Sequence, residues 1–92
     1  MIKPNEGLGN VVEAYLTRFY RECDDIDAEN DVYARVVGET ERRLLMTTLR
    51  AVRGNRLRAS KILGINRNTF LRKLRALGLD EAAEAKKESK RK

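Results

Sequence analysis

Between residues 10 and 22, apolar side chains recur at Val11, Val12, Tyr15, Leu16, Phe19 and Tyr20, the three- and four-residue spacing of one helical face. This predicts a first helix over 10–22, with Leu8 packing near its start. The segment before it, 1–9, holds Pro4, Asn5, Gly7 and Gly9 and reads as a flexible lead-in. The pattern then lapses through Asp24, Asp25, Ile26, Asp27, Ala28, Glu29 and Asn30, an acidic stretch with no apolar period, read as a solvated connector. A second, longer run places Val32, Tyr33, Val36, Val37, Leu44, Leu45, Leu49 and Val52 at helical intervals. It predicts a helix over 32–52, capped by Asp31 and closed by Arg53 and Gly54. Gly38 weakens its middle by about 1 kcal/mol relative to alanine and permits either a close helix approach or a bend.

Two short helices follow at once. Asn55 offers a side-chain acceptor to the unpartnered N–H groups of a helix over 56–63, in which Leu57, Ala59, Ser60, Ile62 and Leu63 supply small and apolar positions. Gly64 ends it, since glycine enters the left-handed region without a Cβ penalty. Asn66 caps a further helix over 67–77, so the chain must turn steeply between the two. A glycine-containing turn between two such helices is the pattern of a helix-turn-helix, here over 55–78. In its second helix Phe70, Leu74 and Leu77 form one apolar stripe. Asn68, Arg72 and Ala76 point the other way, flanked by Arg75, with Arg67 at the exposed N-terminal end. Arginine forks suit guanine edges, asparagine suits adenine, and further cations suit phosphate, so this outward face carries the chemistry of major-groove recognition. The plainer alternative is a surface helix solvated by its arginines. The coincidence of two caps, a glycine turn and an apolar lock favours DNA reading. The tail, 80–92, alternates Ala and Glu with Lys, ends in K-K-E-S-K-R-K, and is expected to be disordered.

Composition sharpens this picture. The net charge of +6 over 92 residues conceals a division: residues 1–46 hold 6 Lys/Arg against 10 Asp/Glu (net −4), and residues 47–92 hold 14 against 4 (net +10). A basic half segregated in this way is the footprint of a polyanion partner. There is no histidine and a single cysteine, Cys23, which excludes zinc fingers and an internal disulfide. The acidic connector lacks the glycine and terminal glutamate of a calcium loop. No metal or other cofactor is implied. An enzyme is the weakest function class, because no nucleophile–base pair or cofactor loop is present. Ser60 reads as a small packing residue and Thr69 as a groove or phosphate contact. With no apolar run long enough to span a bilayer and no signal-peptide pattern, the expectation is a cytoplasmic chain with neither membrane nor small-molecule partner.

The apolar stripes of the first two helices exceed what a lone chain of this size should leave wet. Two chains packing these helices together would form a four-helix core, with Val12, Tyr15, Leu16, Phe19, Val36, Val37, Leu44 and Leu45 at the dimer interface. The fold expected is all-α: four helices, two for dimerisation and two forming a C-terminal helix-turn-helix. A two-fold dimer presents two recognition helices to a pseudo-palindromic site of double-stranded DNA.

The run G-N-R-L-R-A-S-K-I-L-G-I-N-R-N-T-F-L-R-K-L-R-A-L-G-L from Gly54 to Leu79 resembles the Fis-type helix-turn-helix, found in the nucleoid protein Fis and at the C-terminus of NtrC-type enhancer-binding activators. The G-N pair, the A-S pair, the L-G-I-N-R turn and the R-K-L pattern carry the resemblance. It implies that Asn66, Arg67, Thr69, Arg72, Lys73 and Arg75 occupy DNA-contacting positions, with Asn55 and Arg58 beside the DNA backbone. It also implies an intertwined homodimer, a bent duplex and a place on the bacterial nucleoid. Leu71 departs from the Fis pattern, which has a basic base-contacting residue there. Base preference should therefore differ from that of Fis, with Leu71 either touching a thymine methyl or only packing.

Residues 1–9 are too short and strandless for the N-terminal arm of Fis itself. The V-Y-A-R-V-V-G-E-T-E-R-R-L-L opening of the second helix resembles the corresponding segment of NtrC-type activators. No Walker A sequence, phosphoacceptor domain or ATPase body accompanies it, so the chain reads as an excised C-terminal domain, over 10–79, or a free-standing protein of the same descent, the former preferred. The function expected is sequence-specific DNA binding in transcription regulation. The alternatives are a Fis-like architectural protein of low sequence specificity, distinguished by a small preference over random DNA, and a protein-binding helical module, indifferent to the loss of Arg67, Arg72 and Arg75.

Overall fold

The computed structural model describes residues 2–79; the tail 80–92 lies outside them. Among the described residues the protein is all-α. Its four helices are α1 (Leu8–Glu22), α2 (Val32–Ala51), α3 (Arg56–Leu63) and α4 (Arg67–Ala76), with one turn of 3-10 helix at Ile26–Ala28 between α1 and α2. None is long and apolar enough to cross a membrane. The chain divides into two compact units, one ending at Val32 and the other beginning at Tyr33, within the span 10–79 read as one domain.

In the first unit, α1 starts two residues before the apolar pattern does. Gly7 takes a left-handed backbone (φ 81°) and caps the helix without any side-chain bond, while its carbonyl accepts from the N–H of Val11 at 3.2 Å. The helix ends where Cys23 turns extended and its N–H donates to the Phe19 carbonyl at 3.1 Å. Phe19 and Tyr20 meet edge to face, 5.1 Å between ring centres. None of the α1 residues is fully buried, and Tyr15 is 74% exposed. The acidic connector is largely exposed and holds one short turn: the Asp25 carboxylate accepts from the Asp27 N–H at 3.1 Å and opens the 3-10 turn.

The second unit contains the core. Leu45, Leu49 and Val52 from the C-terminal half of α2 and its end, Ala59 from α3, Phe70 and Leu74 from α4, and Leu79 are buried together, with Met46, Leu63, Ile65, Leu71 and Leu77 packed around them. Phe70 and Leu74 are fully buried, and each such side chain contributes about 1.5–3 kcal/mol of hydrophobic stabilisation. The cap expected from Asp31 is not of the usual kind, because the residue sits at φ 57° rather than in the extended conformation of a capping side chain. Along α2, Glu39 pairs with Arg43 at 2.7 Å. The hydroxyls of Thr40 and Thr48 donate to the carbonyls of Val36 and Leu44, each at 2.8 Å. A Cβ at Gly38 would meet nothing within 4 Å among the described residues, so no close approach among them accounts for that glycine.

The C-terminus of α2 is closed by Arg53 and Gly54, both left-handed (φ 53° and 83°). The Gly54 N–H reaches back to the Leu49 carbonyl at 2.8 Å, which satisfies one of the orphan carbonyls of the last turn. One residue later Asn55 begins α3.

Candidate nucleic-acid interface

Each helix of the α3–α4 pair is started by an asparagine and turned by its neighbours. The Asn55 side-chain oxygen accepts from the Arg58 N–H at 3.0 Å. Gly64 stops α3 at φ 75°, its N–H bonded to the Ser60 and Lys61 carbonyls and the Ile65 N–H also bonded to Ser60. The Ser60 hydroxyl, almost wholly buried, donates to the Leu57 carbonyl at 2.8 Å, so a polar group enters the core with its hydrogen bond made. Asn66 then accepts from the N–H groups of Asn68 at 2.8 Å and Thr69 at 3.4 Å. Ile65, between the two helices, packs against the core and anchors the turn.

The stripe of Phe70, Leu74 and Leu77 faces inward as its spacing predicts, the first two fully buried and the third half-buried. Across the helix Asn68, Arg72, Arg75 and Ala76 are exposed, as is Arg67 at its N-terminal end. Thr69 is half-buried at the edge of that face, and its hydroxyl accepts from Nη2 of Arg72 at 3.4 Å. Asn55, Arg58 and Lys61 are exposed on or beside α3. These side chains lie in a stretch, residues 42–79, with eleven Lys/Arg and no Asp or Glu. A cationic stretch of this kind favours anions.

Two α4 residues that the resemblance singles out also have partners within the chain. Leu71 is half-buried and packs against the core. Lys73 is also half-buried, and its ammonium donates to Oε2 of Glu41 on α2 at 2.8 Å. No sequence signal marks that partnership, since the two residues are 32 positions apart. On α3, the apolar side chains of Leu57 and Ile62 are exposed.

Among the residues expected at a dimer interface, Tyr15, Val37 and Leu44 are exposed, and Val12, Leu16, Phe19 and Val36 are half-buried. Leu45 is 2% exposed within a single chain, because α2 turns it onto Leu49, Phe70 and Leu74 of its own core; its side chain is already covered before any second copy arrives. No group of three or more potential metal-ligating side chains occurs among the described residues.

The sequence of most of α2 and of α3 and α4 matches a known family. Residues 36–77 match the model of the bacterial regulatory protein, Fis family. Curated relatives include the DNA-binding transcriptional regulator NtrC of Azospirillum brasilense, 40% identical over 74 residues that make up 80% of this chain and 15% of that protein. The same regulator from Bradyrhizobium sp. (strain RP501 Parasponia) is 39% identical over 74 residues, again 80% of this chain and 15% of the relative. That of Rhizobium meliloti (strain 1021) is 35% identical over 72 residues, 78% of this chain and 15% of the relative. The chain thus spans about 15% of the length of the curated relatives it matches. Residues 36–77, with their two asparagine caps, glycine turn and buried Phe70–Leu74 lock, are a helix-turn-helix segment of the Fis family of bacterial regulatory proteins.

Proposed function

We propose that this chain binds double-stranded DNA sequence-specifically as a homodimer and serves bacterial transcription regulation, with α4 as the helix that enters the major groove. The observation that carries the reading is the division of α4 into two faces. Phe70 and Leu74 are locked in the core, while Arg67, Asn68, Arg72 and Arg75 are held outward. The family match and the relatives' description as DNA-binding transcriptional regulators support it. Because the chain corresponds to a small part of those relatives, the role proposed for it is the DNA contact.

Pairing of two chains is supported by apolar side chains that neither unit covers: Val11 and Tyr15 on α1, and Tyr33, Val37 and Leu44 on α2. Two copies would offer two recognition helices to half-sites about one helical turn apart, roughly 34–36 Å. A duplex bent between them would bring both grooves into reach, with deformability adding to sequence preference. The setting that follows is the bacterial cytoplasm and its nucleoid.

The test is the binding of Arg67→Ala and Arg72→Ala to a duplex selected by the wild-type chain from a random pool, and to random duplex, followed by fluorescence anisotropy. Each variant should lose about 1–3 kcal/mol on the selected duplex and less on the random one. Equal losses on both would demote these arginines to phosphate contacts. Unchanged binding on both would overturn the proposal.

A further inference from the structure

Lys73 is placed differently from Arg72 and Arg75 on α4. At about 100° per residue, Asn68 and Arg72 fall across the helix from the buried stripe, whereas Lys73 lies only about 60° from Phe70, at the stripe's margin. There its Nζ meets Glu41 Oε2 at 2.8 Å, with the two side chains 39% and 35% exposed. Glu41 is one helical turn before the buried Leu45 on α2. Of the two carboxylates between residues 33 and 79, Glu39 is engaged by Arg43 on its own helix, and Glu41 reaches across to α4.

We infer that Lys73 is a positioning residue for the DNA contact rather than a phosphate ligand, and that the Glu41–Lys73 pair sets the angle at which α4 presents Arg67, Asn68 and Arg72. The inference rests on the DNA-binding reading. A phosphate approaching Lys73 would also approach the Glu41 carboxylate, and their repulsion would cancel much of what the lysine gains. The core beneath the pair is apolar and non-directional, so Phe70 and Leu74 fix that α4 packs but leave some freedom in how it tilts. A charged link 2.8 Å long, on one side of that stripe, removes part of this freedom. At one-third exposure the pair is screened and adds little to stability; its effect is on direction.

The experiment uses the whole chain and four proteins: wild type, Lys73→Met, Glu41→Gln, and the swapped pair Glu41→Lys with Lys73→Glu. Affinity is measured across a salt series for the duplex the wild type selects from a random pool and for random duplex. Lys73→Met and Glu41→Gln should each lose about two- to fivefold on the selected duplex, the span a partly exposed pair supports. Neither should lose affinity for random duplex. The salt slope of Lys73→Met should stay at the wild-type value, and the swapped pair should recover the selected-duplex affinity.

A drop of about 0.9 in that slope, the mark of one lost phosphate contact on B-form DNA, would overturn the inference. So would a swapped pair that binds worse than either single variant. Circular dichroism melts establish that each variant is folded, and Glu41→Gln carries the test if Lys73→Met is not. A wild-type chain that binds neither duplex would instead sink the DNA reading itself, before any variant is compared.

Discussion

Replacing Asn66 by alanine and by aspartate separates the cap of α4 from its contact with DNA. The Asn66 side-chain oxygen accepts from two backbone N–H groups, at 2.8 and 3.4 Å, and only the first is a short bond. Alanine removes both acceptances, which costs about 1 kcal/mol, within a usual span of roughly 0.5–2. At about 0.05–0.15 kcal/mol per residue, the unit of residues 33–79 has on the order of 2–7 kcal/mol in all, so the loss is a visible fraction of its stability. Aspartate keeps the acceptor and adds a negative charge at the positive end of the helix dipole, a gain of about 0.3–1 kcal/mol. On DNA the order reverses. A carboxylate has no N–H to offer a base or a phosphate and is repelled by the backbone, so Asn66→Asp should lose about 1–3 kcal/mol of binding, tenfold for every 1.4 kcal/mol or so.

Urea titrations followed by circular dichroism give the first quantity, and fluorescence anisotropy on a selected duplex gives the second. The expected pattern is an alanine variant less stable than wild type and an aspartate variant as stable or more so, with aspartate the weaker DNA binder of the two once both are folded. An aspartate variant that binds as tightly as wild type would mean that the N-terminus of α4 does not face the duplex. An alanine variant as stable as wild type would refute the capping argument.

Phe70→Ala should destabilise the second unit by about 3–5 kcal/mol, the cost of emptying a fully buried aromatic site, leaving little helical signal at 25 °C in a urea titration; a loss below about 1 kcal/mol would contradict the core assignment. Leu16→Glu or Phe19→Glu should yield monomers of lowered stability, and an unchanged mass in sedimentation equilibrium would refute pairing through α1. For Glu39, the side-chain hydrogen bond from Arg43 holds the carboxyl below its ordinary value, helped by the charges of Arg43 and Arg42 and opposed by slight desolvation. The pair's contribution is therefore present above the ordinary carboxylate pKa and is lost as the pH falls through the lowered one. Wild type and Glu39→Gln should differ slightly in melting temperature at neutral pH and converge in acid, and a gap that widens in acid would show the sign to be wrong.

Local chemistry was legible wherever a residue's own side chain or backbone makes the structure. The expected bounds of α3, 56–63, are those observed, because Asn55 and Gly64 act within one turn of themselves. The end of α4 fell one residue short, since Leu77 already has φ −92° and ψ 0°. The start of α1 was missed by two residues because Gly7 caps through its backbone alone, which no side-chain pattern announces. Asp31 was expected to cap α2 on its residue type, yet its positive φ is a property of how the connector enters the helix.

By itself, then, the chain's order of residues determined four helices, a cationic outward face on α4 and the turn between two capped helices, since each depends on groups within about four positions of one another. What only the tertiary structure decided was which apolar and charged residues are used up inside the chain. Leu45 is drawn into the core and Leu71 packs against it while Leu57 and Ile62 stay outside, and Lys73 is paired with Glu41. Periodicity names a helix's candidate faces, but which of them is covered depends on the shape of a partner many residues away.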